Sequence, residues 1–266
     1  MTSSTVRIPA LPVAHMRAMS LVSNPEPSQR ELREMVDADP ALTAALLRAA
    51  NSAASAPMDP VRTAHVAIVR IGVVEARRII MGVALSSSFN DLHRSKMDEN
   101  ELWRHLIATG VLADATAWGE VQHTEAFTAG LLHDIGRLAM AVDDPARYSR
   151  VVMLARNGTP AIEAERTVFG LNHMEWGQSI ARAWAFPDDV AEAIGEHHEA
   201  VQHGVSWAVT RGRELAAILG IGDGILPATP PPPGSEATML PVLDDLGGPD
   251  KVRERVDWYS GAVAAA

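Results

Sequence analysis

Ten histidines are spread along 266 residues, and five of them fall into a patterned set. His105 sits inside Leu102-Trp103-Arg104-His105, with Glu101 four residues earlier and so on the same helix face. His133 and Asp134 are adjacent in Gly130-Leu131-Leu132-His133-Asp134-Ile135-Gly136-Arg137. His173 follows Asn172, with Gly177 one turn on, and His197 and His198 follow Glu196. Imidazoles and a carboxylate together suit a borderline divalent metal such as Fe, Mn, Zn, Ni or Co. Neighbours on a helix point about 100° apart, so His133 and Asp134 could address two metals, or one metal from a helix end. A carboxylate such as Asp134 can bridge two cations, and such a pair activates water and stabilises a phosphoryl transition state. The plain alternative is a hydrogen-bonded His-Asp pair that holds a helix end. For Glu101 the alternative is a solvated carboxylate at a helix start. His15, His65, His93, His123 and His203 have no patterned partners and read as surface or packing residues.

Helices must position these groups. Ser28 with Glu31 is a capping-box pattern, opening a helix that runs to about Asp37. Asp39 followed by Pro40 starts another, which ends near Asn51–Ser55. There Asn51 and Ser52 can tie the helix end to a neighbouring loop. An apolar run from His65 to Ile71 stops at Gly72, and Val73–Phe89 follows as helix with Arg77 and Arg78 on a solvated side. Glu101–Trp118, Glu125–Ala141, Pro145–Asn157 and Pro160–Phe169 read as four more. Asn172 with Glu175 caps the next helix, which stops before Pro187, and Gly177 lets it pack closely near His173. Asp188–His198 and Val205–Leu219 complete the set. Pro227–Gly234, with Pro230 to Pro233 inside it, is a polyproline II-like spacer. Beyond it, Pro249–Tyr259 reads as an amphipathic helix whose Val252, Val256 and Tyr259 form one stripe.

Composition agrees with an all-α fold. Apolar residues make up 47%, mostly Ala, Val, Leu, Ile and Met, while aromatics reach only 5%. Trp103, Trp176 and Trp184 are expected as core anchors. The absence of Cys excludes disulfides, thiol catalysis and cysteine-ligated metal. A net charge of −10 with no Lys/Arg run disfavours direct nucleic-acid binding and anionic membrane surfaces. Met1–Pro12 has no apolar stretch like a signal peptide, and no window of about 18 apolar residues lacks charge. The expected location is the cytoplasm.

The run GLLHDIGR, then FGLNHMEWG, then EHH, resembles the HD superfamily and specifically its HDOD branch. Leu11-Pro12 looks like that branch's opening. Asp39-Pro40-Ala41-Leu42 with Leu46-Leu47-Arg48-Ala49-Ala50-Asn51-Ser52 is similar to its "DPaL…LLrlaNS" signature. Ala67-Ile68-Val69-Arg70-Ile71-Gly72 and Trp184-Ala185-Phe186-Pro187 are similar to two further segments, so the resemblance runs in order over about residues 9 to 221. It implies a helical fold and a role in bacterial signal transduction, often as a non-catalytic regulatory or protein-interaction module. It also implies metal roles for His105, His133, Asp134, His173, His197 and His198, with Glu101 matching an extra carboxylate of some HD-GYP enzymes. Those enzymes end their ligand set with an Asp, where Gly212-Arg213-Glu214-Leu215-Ala216 here places Arg213. A guanidinium stays charged and repels a cation. Glu214 lies about 100° round the helix, and Asp223 lies beyond its end. Arg137 stands at the position of an HD-GYP lysine, and the GYP tripeptide is absent.

These readings divide the chain into an N-terminal helical lobe (1–92), an HD-like helical lobe (93–222), and a Pro-rich spacer with a short C-terminal helix (223–266). The leading function is a regulatory module with a degenerate metal site that meets a signalling protein in trans. The alternative is a metal-dependent phosphohydrolase or phosphodiesterase acting on a nucleotide or cyclic nucleotide. Arg137 and Arg213, with Arg182, could form an anion pocket for a nucleotide phosphate. Arg213 is expected to reach Asp134 or another carboxylate of the site.

Overall fold

The computed structural model describes residues 13–24, 26–52, 59–89, 91–118, 123–229 and 236–263. Their regular structure is entirely helical, with no strand among the described residues. The Leu11-Pro12 motif, residues 230–234 of the spacer and residues 264–266 of the Ala-rich end lie outside them. No described helix is long and apolar enough to cross a membrane.

The chain forms two compact units, one of which joins residues 10–90 to residues 253–266. It begins with α1 (Val13–Met19), which runs into a 3-10 turn, Ser20–Ser23, and continues with α2 (Gln29–Asp37), α3 (Pro40–Asn51), α4 (Ala64–Ile71) and α5 (Val73–Ser88). The capping box forms, with Ser28 Oγ accepting from the Glu31 N–H and the Ser28 N–H donating to the Glu31 carboxylate. Asp39 accepts the Ala41 N–H at 2.8 Å, opening α3 at its Pro. The Asn51 amide donates to Val61 O at 2.8 Å and accepts the Val61 N–H at 2.7 Å. One side chain thereby satisfies two backbone groups and ties the end of α3 to the segment before α4.

Arg77 and Arg78 are not on a solvated face: they are 1% and 5% exposed. Arg77 donates to Leu21 O at 2.6 Å and Asn24 O at 3.2 Å, joining the Asn24 N–H on Leu21 O at the end of the 3-10 turn. Arg78 lies against Glu75 and the Tyr259 hydroxyl. Helical periodicity alone cannot separate an arginine that solvates from one that serves a neighbour's carbonyls.

The other unit, residues 91–252, holds α6 (Glu99–Thr116), α7 (His123–Leu132), α8 (Ile135–Asp143), α9 (Pro145–Arg156), α10 (Ala161–Phe169), α11 (His173–Ala183), α12 (Asp188–Glu196), α13 (Gly204–Ile218) and α14 (Glu236–Asp245). α6 packs along α7 and α13, while α11 packs on α8 and α12. α6 and α7 touch backbone to backbone, since a Cβ on Gly130 would stand 2.7 Å from Gly110 Cα. Leu102, Leu106, Leu112 and Phe127 fill this core, and Trp103 and Trp176 are buried as anchors.

Two elements differ from the sequence expectation. Glu125–Ala141 is not one helix: it breaks at His133-Asp134 into α7 and α8. The apolar run Leu131-Leu132…Ile135…Leu138 hides that break, because every residue from Ala126 to Ala141 is buried and no periodicity marks the change of helix. α14 is an additional helix, and Pro241 inside it masks its signal.

α15 (Pro249–Val263) returns to the first unit from residue 253 onward. Its expected stripe is buried, with Val252 2%, Val256 0% and Tyr259 1% exposed. Trp258 Nε1 donates to Ala49 O at 3.2 Å, Arg48 donates to Ala262 O at 2.9 Å, and Arg255 pairs with Glu75 at 3.0 Å. Burying a side chain such as Val256 stabilises by about 1.5–3 kcal/mol.

Candidate metal centre

The break between α7 and α8 is where the chemistry collects. His133 donates from Nδ1 to Gly130 O at 2.7 Å, closing the open end of α7. Asp134 then occupies the N-cap of α8 but makes no side-chain cap bond. An N-cap Asp usually accepts a backbone N–H of the first turn. Here the carboxylate turns to the site instead, which gives up about 1 kcal/mol of helix stabilisation. Beside it, α8 and α11 come together at glycines. A methyl on Gly136 would run into the His173 carbonyl, and one on Gly177 would stand 2.8 Å from Ile194 Cγ2 and 3.1 Å from Gly136 N. Gly177 therefore does allow close packing near His173.

Five of the six principal candidates are buried together: His105, His133, Asp134, His173 and His197. His198 is exposed at the rim. They form two groups, His105–His133–Asp134 and His173–His197–His198, within each of which the ligating atoms lie within 4.8 Å of one another. Asp134 stands between the groups. Its Oδ2 is 3.5 Å from His133 Nε2 and 3.9 Å from His105 Nε2. Its Oδ1 is 3.3 Å from His173 Nε2 and 3.5 Å from His197 Nε2.

Hydrogen-bond partners fix which ring nitrogens carry protons. His197 donates from Nδ1 to Ile194 O at 2.9 Å. His173 donates from Nδ1 to Glu165 Oε2 at 2.6 Å. Both leave Nε2 as the lone-pair nitrogen, and these two atoms face each other at 3.1 Å. Asp134 Oδ1 joins them with no hydrogen-bond donor among the described residues. Three potential ligand atoms thus converge, an arrangement a cation relieves. In the other group His105 Nε2 lies 3.1 Å from His133 Nε2, and His105 Nδ1 is buried without a hydrogen-bond partner among the described residues. The donor set fits a divalent metal.

Burial depresses the protonation of His105 to a pKa of about 4 and of His197 to about 3, keeping both rings neutral as ligands must be. Burial would raise the Asp134 carboxyl, but the Arg137 guanidinium and the His133 and His173 imidazoles outweigh it and hold it well below the usual range. Arg137 is 2% exposed. Its guanidinium lies 3.0 Å from Asp134, 3.1 Å from Asp223 and 3.7 Å from Glu165.

Among the described residues, no carboxylate lies within ion-pair distance of Arg213. It donates from Nη1 to His197 O at 2.7 Å and from Nη2 to His198 Nδ1 at 3.3 Å. α13 brings it to the C-terminal end of α12, whose last carbonyl needs a donor, and Arg137 already neutralises Asp134. Glu101 is in neither ligand group: its Oε1 accepts the Gly222 N–H at 2.7 Å and so anchors the loop after α13. That loop carries Asp223 to Arg137. Arg182 is exposed on α11.

Glu165 is the residue that no sequence pattern marks. It is fully buried on α10 and accepts the His173 backbone N–H at 2.9 Å, the His173 ring and the Tyr148 hydroxyl at 3.1 Å. A carboxylate behind a ligating imidazole orients the ring and raises its basicity. A cavity of about 410 Å³, lined by His105, Arg213, Asp223 and Leu226, opens onto the first ligand group.

A model of the HDOD domain matches residues 8–200. No curated protein matches the chain. Among solved structures, an HDOD domain protein of unknown function from Geobacter sulfurreducens superposes with a TM-score of 0.70 at 21% identity, over 97% of this chain and 92% of that one. A candidate signal transduction protein from Marinobacter aquaeolei VT8 gives 0.72 at 23%, over 97% of this chain and 60% of that one. A candidate phosphohydrolase from Shewanella amazonensis SB2B gives 0.70 at 20%, over 96% and 95%. At these identities the likeness is one of fold.

Proposed function

The chain belongs to the HDOD family, and from that premise we propose that it is a signal-transduction module whose buried His/Asp centre is a scaffold able to take one divalent cation, working on a partner protein in trans. The observation that carries this reading is Arg137 Nη1, 3.0 Å from Asp134 Oδ2. A two-metal hydrolytic centre needs that carboxylate as the bridge between its cations. Here a guanidinium fills half of it. Charge points the same way. Asp134, Glu165 and Asp223 face Arg137 and Arg213, leaving one net negative charge. One divalent cation turns that into one positive charge, and a second would leave three positive charges in a buried space.

His173, His197 and His198 with Asp134, or His105 and His133 with Asp134, would hold the ion. When bound, it would supply Lewis acidity toward a phosphoryl oxygen. The protein's own part is to fix each ring through Gly130 O, Ile194 O and Glu165. The convergence of lone pairs favours a second reading, a single-metal phosphohydrolase. Protein purified without chelator should carry less than one equivalent of metal and leave bis(p-nitrophenyl) phosphate intact. Near-stoichiometric metal with turnover, both lost in His133→Ala, would overturn the scaffold in favour of the enzyme.

A further inference from the structure

We propose that the outer face of α4 docks an amphipathic helix of a partner protein, one whose apolar stripe is bordered by Asp and Glu. The inference rests on the reading of the chain as a module that works in trans, and it adds the surface used and the chemistry of the partner.

The first observation is apolar. Val66, Val69 and Val74 are 48%, 56% and 46% exposed, so three large open hydrophobic side chains fall within one short stretch. Val66 and Val69 stand three apart on α4 and share one face. The opposite face, Ala64, Ala67 and Ile68, is buried where α4 packs on α2, α3 and α5. Valine is a weaker helix former than Ala or Lys, because its branched Cβ loses χ1 freedom in a helix. Two exposed valines on an eight-residue helix therefore lower its stability without any burial within the chain to offset the loss. The same stiffness suits a docking face, since a valine already held in one rotamer loses little freedom when it is covered.

The second observation is charge. Ala64–Ile71 contains no acid. At about 100° per residue, exposed His65 borders the valine pair on one side and exposed Arg70 on the other, and exposed Arg62 precedes the helix. Acids of the neighbouring helices are engaged elsewhere: Glu34 meets Arg17 and Arg30, Asp37 meets Arg33, and Glu75 meets Arg78 and Arg255. Asp59 is exposed three residues before Arg62 and offsets only one of the two arginines. The wider balance agrees. Residues 10–90 with 253–266 carry ten Lys/Arg and nine Asp/Glu, a net charge of +1. Residues 1–9 with 91–252 carry thirteen and twenty-four, a net charge of −11. An acidic partner is repelled by the second set and tolerated by the first, which steers it to the unit that carries α4. Two arginines on a chain of net charge −10 are too few to hold a nucleic-acid backbone. The docking element is a helix, because the described residues offer no strand edge for an extended peptide to join.

The test titrates the full chain with peptides of about 18 residues, long enough to form helix on docking. One carries Leu at alternating spacings of three and four with Glu beside the stripe, the second has Lys in place of each Glu, and the third is a scrambled form of the first. Calorimetry and the methyl NMR signals of Val66 and Val69 report binding. The Glu peptide should bind with a Kd of about 1 mM or tighter, at least about five-fold more tightly than the other two, and the preference should shrink as salt is added. Val69→Asp should abolish binding, and Arg62→Glu with Arg70→Glu should turn the preference toward the Lys peptide. These side chains are exposed, so both variants should melt like the parent. The proposal fails if the Glu peptide does not bind at about 1 mM, if the Lys peptide binds the parent as well, or if folded Val69→Asp binds like the parent. A dimer of the full chain in sedimentation that Val69→Asp dissolves would also overturn it, in favour of a second copy on this face. Failure of the peptides with metal-poor, inert protein removes this face and leaves the module reading standing, whereas metal with turnover removes that reading whatever the peptides do.

Discussion

Replacing Arg137 with Gln is the sharpest perturbation of the centre. The guanidinium is 2% exposed and holds Asp134 at 3.0 Å, Asp223 at 3.1 Å and Glu165 at 3.7 Å. At an effective dielectric of about 20, unit charges 3 Å apart attract by about 5 kcal/mol. Removing one partner of a buried ion pair costs about 3–5 kcal/mol in practice, because the remaining charges stay buried unpaired. For a unit of this size that corresponds to a fall in Tm of about 10 °C in chelator. The same change removes the charge that competes with a metal for Asp134. Added Mn²⁺ or Zn²⁺ should therefore raise the Tm of Arg137→Gln more than that of the parent, and metal content by mass spectrometry should rise in parallel. Thermal unfolding with and without metal checks both halves. A variant as stable as the parent in chelator, or one that gains no more from metal than the parent, would refute the view that Arg137 stands in for a cation.

Other perturbations follow from the same geometry. Glu165→Gln removes the carboxylate behind His173 and should weaken metal binding about 10- to 100-fold, read by competition with a metal indicator. His105 is neutral when folded, with a pKa of about 4 against 6.5 for a free ring, so the unfolded chain binds the extra proton as pH falls. Its share of stability is intact above pH 6.5 and is lost on the way down to about pH 4, a change on the order of 3 kcal/mol. His105→Asn should flatten the pH dependence of Tm over that window, and parallel curves for variant and parent would contradict it. Gly136→Ala should cost several kcal/mol by forcing α8 from α11, whereas Gly261→Ala on α15, where a methyl meets nothing within 4 Å, should be neutral or slightly stabilising. Equal melting curves for these two alanines would disprove the close-contact account.

The helices were legible because their starts carry local chemistry. Ser28-Glu31, Asp39-Pro40 and Asn172-Glu175 each satisfy backbone donors within a few residues, so spacing alone identifies them. The histidines were legible as a set for a similar reason: all but His105, which lies inside α6, sit at or near a helix end in a recognisable run. What failed were features settled by tertiary contact. Whether Arg77 solvates or serves Leu21 O depends on a turn 56 positions away. Glu165 is one acid on an amphipathic helix until α10 brings it to His173. The partners of Arg213 could not be read because a second arginine, Arg137, competes for the same carboxylate and lies nearer. The break at His133-Asp134 escapes periodicity, since apolar residues continue across it.

The first unit is discontinuous in the chain, with residues 91–252 coming between residues 90 and 253. During synthesis, α1 to α5 emerge early but wait for α15. At about 5–20 residues per second, the roughly 160 intervening residues impose a delay of about ten to thirty seconds. Throughout that interval the surface later covered by Val256, Trp258 and Tyr259 is open to chaperones or to a neighbouring nascent chain. The histidine-bearing unit has no such wait, because all its helices precede α15. Order along the message therefore makes the unit begun first the last to close.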